Sequence, residues 1–187
     1  DITGGKYTGG LVGYAYGVNI ENTYLKGEIE GTQYVGGFLG YNYKGNVTVK
    51  DSYTEAIITS SLVSSVVGGL VGRNYSGGDQ YSSIISNSFS KSTVGTNGVT
   101  NTVGGLVGEH TGIIQNSYSS GSVFGNNSVG GLFGYTGLNY GKGDITNSYS
   151  IASVSGSNPG PIVGRMSWSG PVLLNNYWSE DTSGITD

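Results

Sequence analysis

The chain has 187 residues, a formal net charge of −4 and no cysteine, and 36 of its residues are glycine. Its eight lysines and arginines are scattered, so there is no basic stripe of the kind that follows phosphates, and nucleic acid is not an expected partner. The absence of cysteine excludes disulfides and thiolate metal sites, and no run of about 18 apolar residues predicts a membrane span. Abundant Gly, Ser, Thr, Val and Tyr disfavours helix and favours strands.

A six-residue block built on two adjacent glycines recurs along the whole chain. Its six copies span 8–13, 35–40, 67–72, 103–108, 129–134 and 159–164, at intervals of 27, 32, 36, 26 and 30 residues. Repetition at such a period indicates a solenoid, a propeller or an array. Apolar residues alternate onto both faces of the strand that this block predicts, which is typical of burial on both sides. The second face is therefore covered by another segment, or it contacts a partner.

A second element follows each block and places an apolar residue, an asparagine and an aromatic residue at alternate positions, as in Ile114, Asn116 and Tyr118. In one strand these side chains share a face, so we expect the aromatic residues in the core beside an apolar column. That column comprises Ile20, Val49, Ile85, Ile114, Ile145 and Leu173. The asparagines either form an amide ladder along the stack or satisfy backbone groups at corners. Asp51 replaces one of them and should interrupt a ladder.

Another apolar column lies five residues after the column of aromatic residues. It comprises Ile29, Ile58, Val94, Val123 and Val154. An odd offset within one inward-facing set predicts a bend, which we place at the small residues Gly27, Ala56, Ser92, Gly121 and Ala152.

The three elements together predict an all-β fold, a β-solenoid (β-helix) of about six coils with three short strands per coil. A propeller blade would need four strands and a longer period. We interpret residues 1–187 as one solenoid domain of repeats, excised from a larger protein. Loops of variable length at 60–66, 73–83 and 96–102 are natural places for function on such a scaffold.

The pattern V-G-G-L-V-G followed by I-x-N-S-Y-S-x-G-x-V-x-G resembles the GLUG repeat of large bacterial exported proteins. The segment 176–184 is similar to one that often closes such arrays. The resemblance implies an extracellular or cell-surface setting, as in accessory regions of immunoglobulin A peptidases and filamentous haemagglutinin-like proteins. It supplies no catalytic residue.

Catalytic and metal-binding chemistry is poorly represented. His110 is the only histidine, which excludes an imidazole cluster, and we interpret it as a surface loop residue. Acidic pairs such as Glu28 and Glu30 are interpreted as solvated, since no column of the repeat is acidic. Segments 77–79 and 141–144 are similar to calcium loops, but they do not repeat. We therefore predict no catalytic residue, no cofactor and no structural metal, and leave calcium at a single loop open.

Aromatic residues after the Gly-Gly strand form the candidate binding site. The set comprises Tyr14, Tyr16, Tyr41, Tyr43, Tyr75, Tyr135, Tyr140 and Trp168. Asn42 and Asn46 are predicted as amide partners for a ligand. One column alternates between tyrosine and charge (Tyr14, Tyr41, Arg73, Glu109, Tyr135, Arg165), so we predict that it faces solvent. The rings either bind sugars or simply pack over the coil edge with their hydroxyls hydrated.

The leading hypothesis is a non-catalytic extracellular module for adhesion or binding, or a structural spacer, in a bacterial surface protein. Its expected partners are a glycan, a host or surface protein, and neighbouring repeats of the same polypeptide. A carbohydrate-active enzyme on a β-helix is the alternative, and it would need two acids facing one cleft. An ice-binding solenoid is a second alternative, but the threonines do not align in columns.

Overall fold

The computed structural model of the protein describes residues 1–75, 83–136, 144–167 and 172–179, with His110 described by its backbone alone. These residues form short β-strands joined by turns and bends, and no helix occurs among them. The expectation of an all-β fold is therefore confirmed.

The strands follow one another closely along the chain. The first nine are β1 (Ile2–Thr3), β2 (Tyr7–Gly9), β3 (Val12–Ala15), β4 (Val18–Glu21), β5 (Tyr24–Gly31), β6 (Tyr34–Gly36), β7 (Leu39–Tyr43), β8 (Val47–Lys50) and β9 (Tyr53–Ser60). The next nine are β10 (Val66–Gly68), β11 (Val71–Tyr75), β12 (Ile84–Ser86), β13 (Phe89–Ser90), β14 (Thr93–Val94), β15 (Thr102–Gly104), β16 (Val107–His110), β17 (Ile113–Gln115) and β18 (Tyr118–Phe124). The last eight are β19 (Ser128–Gly130), β20 (Phe133–Thr136), β21 (Ile145–Thr146), β22 (Tyr149–Ser155), β23 (Asn158–Gly160), β24 (Val163–Met166), β25 (Leu173–Leu174) and β26 (Tyr177–Trp178).

Each coil passes in turn through four parallel sheets, and equivalent strands of successive coils pair. The first sheet has the order β2-β6-β10-β15-β19-β23, the second β3-β7-β11-β16-β20-β24, and the third β4-β8-β12-β17-β21-β25. The fourth sheet contains β1, β5, β9, β13 with β14, β18, β22 and β26. The first coil thus comprises β2 to β5, the second β6 to β9 and the third β10 to β14. This is the predicted β-solenoid.

The Gly-Gly block explains why the three predicted segments of a coil occupy four sheets. The chain turns at the centre of the block, so its two halves pair in the first and second sheets. Val103 then points into one core cluster, while Leu106 and Val107 point into the other. Burial of both apolar stripes is achieved by this turn and requires neither a covering segment nor a partner. A Cβ on Gly105 would collide with the carbonyl oxygen of Gly131 in the next coil, which explains the glycine.

The two predicted apolar columns are internal. Ile20, Val49, Ile85, Ile114 and Ile145 lie in register in the third sheet and are at most 5% exposed. Leu173 continues the register but is 44% exposed. The column from Ile29 to Val154 is buried in the fourth sheet. Each column buries apolar side chains along the whole stack, which stabilises the fold.

The aromatic column is not in the core, and this expectation is wrong. In β22 the residues alternate between outside and inside, with Tyr149 outside and Val154 inside. Two residues five apart in a straight strand lie on opposite faces, so the odd offset needs no bend. Ala152 accordingly lies within the continuous strand β22, although β13 and β14 do separate around Ser92.

The asparagines form the actual corner between the third and fourth sheets. They adopt left-handed backbone conformations, with φ of 49° at Asn22 and Asn87 and 50° at Asn116, which asparagine tolerates better than most residues. Nδ2 of Asn116 donates to Oδ1 of Asn87 at 3.3 Å, so the predicted amide ladder exists. Oδ1 of Asp51 accepts a bond from Nδ2 of Asn87 at 3.0 Å, but a carboxylate has no N–H to donate towards Asn22, so the ladder ends at Asp51 as expected.

Serines inside the corner satisfy the backbone there. The amide of Ser88 donates to Oγ of Ser117 at 3.2 Å, and the hydroxyl of Ser88 donates to the carbonyl of Ser86 at 2.8 Å. The same pair of bonds recurs at Ser52, Ser117 and, with Asn176 as acceptor, Ser148. The buried polar groups of the corner therefore have partners.

Candidate functional site

The outer face of the second sheet carries the predicted column of alternating tyrosine and charge. Strand pairing places Tyr14 beside Tyr41, Tyr41 beside Arg73, and Arg73 beside Glu109. The column continues through Tyr135 to Arg165. Adjacent strands lie about 4.8 Å apart, so side chains distant in sequence become direct neighbours.

Seven tyrosines from the first three coils pack together where this face meets the outer face of the first sheet. We call them the tyrosine cluster: Tyr7, Tyr14, Tyr16, Tyr34, Tyr41, Tyr43 and Tyr75. Tyr41 stacks on Tyr34 with ring centroids 5.0 Å apart and on Tyr7 at 5.2 Å. Tyr16 meets Tyr14 edge to face at 5.4 Å and Tyr43 at 5.9 Å. These are favourable aromatic geometries, so the cluster holds its own shape.

The rings differ strongly in exposure. Tyr16 is 69% exposed and Tyr14 is 40% exposed, whereas Tyr41, Tyr43 and Tyr75 are half-buried. The half-buried rings form a base that fixes the exposed ones. Most rings of the cluster therefore pack over the coil edge, as one of the two predicted alternatives has it, and Tyr14 and Tyr16 remain exposed.

Arg73 is the central cation of the cluster. Its guanidinium carbon lies 5.4 Å from the ring centroid of Tyr34, 5.7 Å from that of Tyr41 and 5.8 Å from that of Tyr75. It also donates a hydrogen bond to the hydroxyl of Tyr34 at 2.9 Å. A guanidinium packs well against aromatic faces, so Arg73 ties rings from two sheets together.

Glu109 pairs with Arg73, with Nε and Oε2 2.7 Å apart, and the two side chains are only 15% and 22% exposed. The prediction that this whole column faces solvent is therefore wrong for these two residues. Burial raises the pKa of the Glu109 carboxyl, and the charge of Arg73 opposes this rise. Tyrosine and arginine can occupy equivalent positions in the column because the guanidinium of Arg73 packs against the ring of Tyr41 and its charge is neutralised by Glu109 of the next coil.

The hydroxyls of Tyr14 and Tyr41 stay protonated at physiological pH, because the pKa of each is raised. A hydrogen bond with Tyr16 raises the pKa of Tyr14 to about 12. Burial raises the pKa of Tyr41 to about 12, although the charge of Arg73 opposes this. These two phenols are therefore neutral, and each can donate a hydrogen bond.

Asn42 does not contribute to an exposed site, which corrects the prediction for this residue. It is completely buried, accepts a hydrogen bond from the amide of Gly17 at 2.7 Å, and donates to Gly45 and to Asn74 at 2.9 Å each. Its position between successive coils makes it a support of the corner beneath the cluster. Asn46, in contrast, is exposed.

The other predicted site residues lie apart from the cluster or outside the described residues. Tyr135 follows Glu109 in the column, and the guanidinium carbon of Arg165 lies 5.6 Å from the ring centroid of Tyr135. Trp168 and Tyr140 lie outside the described residues, as does the side chain of His110.

Two members of the cluster were not among the site residues predicted from the sequence. Tyr7 and Tyr34 each precede the first glycine of a Gly-Gly block by two residues and pair in the first sheet. Their repetition at the same position was a usable signal. What the pattern did not reveal was the turn that brings the first sheet's outer residues against those of the second.

A second aromatic surface, which we call the aromatic ladder, follows the outer face of the fourth sheet. It comprises Tyr24, Tyr53, Phe89, Tyr118 and Tyr149, with successive ring centroids 4.5, 4.6, 4.7 and 4.8 Å apart. From Tyr53 to Tyr149 the rings stack face on face, whereas Tyr24 is tilted by 31° against Tyr53 and is 48% exposed. The ladder therefore stabilises the stack along its length, and its inner rings offer mainly their edges to solvent.

Charged groups elsewhere are mostly solvated. Glu28 and Glu30 are exposed as predicted, and Glu55 pairs with Lys26 at 3.3 Å on the outer face of the fourth sheet. In the described part of the chain no three His, Cys, Asp or Glu side chains gather as they would around a metal. The same residues include no helix suited to crossing a membrane.

Four parallel sheets, ladders at the corners and an aromatic outer face define a parallel β-solenoid built from repeats. The GLUG motif matches residues 4–30 and 100–123, which confirms the resemblance seen in the repeat sequence. These two stretches lie in the first coil and in the fourth, and the same pairing register connects the coils between them. The chain thus carries GLUG repeats. No curated protein matches the chain.

A solved structure with the same fold comes from Bacteroides ovatus and is described as that of a candidate immunoglobulin A1 protease. The match has a TM-score of 0.70 and 22% sequence identity, and it covers 91% of this chain. At this identity the likeness concerns the fold alone. The chain corresponds to 58% of the length of that solved chain.

Proposed function

We propose that the chain is a non-catalytic binding module of an exported bacterial surface protein, and that the tyrosine cluster binds a glycan. The GLUG motifs and the fold shared with a candidate immunoglobulin A1 protease support the exported setting. The proteolytic activity in the name of that protein is not transferred, because this chain matches only 58% of its length.

The exposure of Tyr16 and Tyr14 above a packed aromatic base carries the proposal. Sugar rings present apolar C–H faces that pack on aromatic rings, and their hydroxyls bond to phenols and amides. Rings that are already fixed by neighbours lose little conformational entropy on binding. Seven tyrosines packed together on the adjoining outer faces of two sheets exceed what scattered surface aromatics would provide.

The aromatic ladder is the less suitable surface. Its inner rings, Tyr53, Phe89 and Tyr118, have another ring 4.5 to 4.8 Å away on both faces, whereas a sugar needs an open face. The aromatic ladder and the two apolar columns would be sufficient for a purely structural spacer, because they stabilise the stack. Such a spacer would not need the exposed ring of Tyr16, so the two roles can be separated by experiment.

The test is a glycan array probed with the wild-type protein and with Tyr16→Ala. We expect the variant to bind at least tenfold more weakly, about 1.4 kcal/mol, because it loses the most exposed ring of the cluster. Tyr177→Ala is the matched control, since Tyr177 is 68% exposed but lies in the fourth sheet. The melting temperature should change little in either variant.

An array on which the wild type binds no glycan would refute the proposal and leave the spacer role. Equal losses from Tyr16→Ala and Tyr177→Ala would place binding outside the cluster. Tyr41 is a poorer test residue, because its ring contacts four other tyrosines and Arg73. Its removal should lower stability as well as binding.

A further inference from the structure

Two exposed lysines flank the tyrosine cluster. Nζ of Lys6 lies 5.1 Å from the ring centroid of Tyr7, and Nζ of Lys44 lies 5.1 Å from that of Tyr43. Both side chains are exposed, so their ammonium groups can reach a ligand lying on the rings. The lysines therefore belong to the same surface as Tyr14 and Tyr16.

Lys44 occupies a backbone conformation that a lysine seldom adopts. Its φ is 53°, and every other non-glycine residue with positive φ in the described part of the chain is an asparagine or aspartate. The corresponding corner of the first coil is closed by Gly17, with φ 101°. A left-handed conformation costs about 1 kcal/mol for a residue with a Cβ. Stability alone would favour glycine at position 44.

Among the described residues, the cations against the rings of the cluster are Lys6, Lys44 and Arg73, although the chain as a whole carries −4. The buried carboxylate of Glu109 is paired with Arg73, so it does not offset the two lysines. A neutral sugar would gain nothing from this arrangement beyond hydrogen bonds. A carboxylate on the sugar would gain charge-assisted bonds from both edges of the aromatic surface.

We propose that the tyrosine cluster, with Lys6 and Lys44 at its edges, recognises an acidic glycan, that is, a chain containing uronic or sialic acid residues. This inference rests on the proposed glycan binding and specifies the class of sugar. The rings of Tyr14 and Tyr16 take the C–H faces, and the two ammonium groups take carboxylates.

The experiment uses an array of sialylated and uronic acid oligosaccharides beside their desialylated or methyl-esterified counterparts. The wild type should bind the acidic member of each bound pair at least tenfold more tightly. Raising the ionic strength from about 0.01 M to about 0.15 M should weaken this binding, because exposed charges are screened.

Lys44→Gly separates recognition from stability. The variant should bind acidic glycans about twofold to fivefold more weakly, with unchanged binding to neutral ones, while its melting temperature stays the same or rises. Lys91→Ala is the matched control, because Nζ of Lys91 lies 5.2 Å from the ring centroid of Phe89 in the aromatic ladder. That variant should bind like the wild type.

The outcomes are distinguishable. Equal binding of acidic and neutral members, lost in Tyr16→Ala, would overturn this inference while supporting the proposed glycan binding. No binding to any glycan would overturn both. Binding to polyglutamate that depends on Lys44, without binding to any glycan, would also overturn both and point to an acidic protein partner.

Discussion

Arg73→Ala should destabilise the protein strongly, although the residue lies on the outer face of a sheet. The substitution removes the ion pair of 2.7 Å with Glu109, the hydrogen bond to Tyr34 and contacts with three tyrosine rings. An interaction with a charged group contributes about 1.5 to 3 kcal/mol, and each ring contact adds about 0.5 kcal/mol or more. Because these terms overlap, we expect a loss of about 3 kcal/mol.

The assay is urea unfolding followed by tyrosine fluorescence, supported by thermal melting. A loss of about 3 kcal/mol corresponds to a decrease of about 6 to 12 °C in melting temperature for a domain of this size. Lys26→Ala is the control, because its ion pair with Glu55 is well exposed and should contribute under about 1 kcal/mol. In a Glu109→Gln background, Arg73→Ala should cost at least about 1 kcal/mol less, since the two residues are coupled.

A loss from Arg73→Ala no larger than that from Lys26→Ala would contradict the stabilising role of Arg73. Additive effects of Arg73→Ala and Glu109→Gln would contradict it as well. Either result would mean that the guanidinium is effectively solvated and that the rings keep their arrangement without it.

Further predictions concern the core, the glycine turn and pH. Ile114→Asp should abolish folding, because Ile114 is completely buried and the charge would have no partner, whereas Ile57→Asp, at a position 46% exposed, should fold; circular dichroism distinguishes the two. Gly105→Ala should lower the urea midpoint markedly, because its Cβ would collide with the next coil, while Gly5→Ala, with open space around it, should be neutral or slightly stabilising; equal effects would contradict the packing argument. Burial raises the pKa of Glu109 in the folded state, so the wild type should gain stability relative to Glu109→Gln as the pH falls through that raised pKa. The gain should be complete below the pKa of the unfolded state, about 4.3. A loss of stability relative to Glu109→Gln on acidification would contradict this prediction.

The repeat spacing alone identified the solenoid and its two apolar columns. Residues such as Ile85 and Ile114, or Val94 and Val123, occupy equal positions in successive repeats, and parallel stacking places equal positions side by side. The amide ladder was predictable for the same reason. Because the repeats are regular, equal positions in successive repeats can be paired without knowing the shape of a coil in cross-section.

The cross-section depended on where the chain turns, and the sequence pattern left a corner at the asparagines as only one of two alternatives and placed no turn inside the Gly-Gly block. The corner lies at the left-handed asparagine before Tyr118, so Tyr118 begins a new strand and faces outward. The Gly-Gly block likewise turns at its centre. The alternation of side chains shows which residues point inward only within one strand. After a corner that the sequence does not reveal, the inward and outward positions must be assigned anew.

The candidate site shows the same division. The column of Tyr14, Tyr41 and Arg73 could be read from the repeat, because it follows the stacking register. The packing of Tyr7 and Tyr34 against it came only from the tertiary structure, since the turn at the Gly-Gly block sets the angle between two sheets. Burial of the ion pair between Arg73 and Glu109, 36 residues apart in the sequence, was likewise decided by the neighbouring rings. Sequence periodicity determines which residues are neighbours along the stack, whereas exposure and charge pairing depend on the shape of the surface around it.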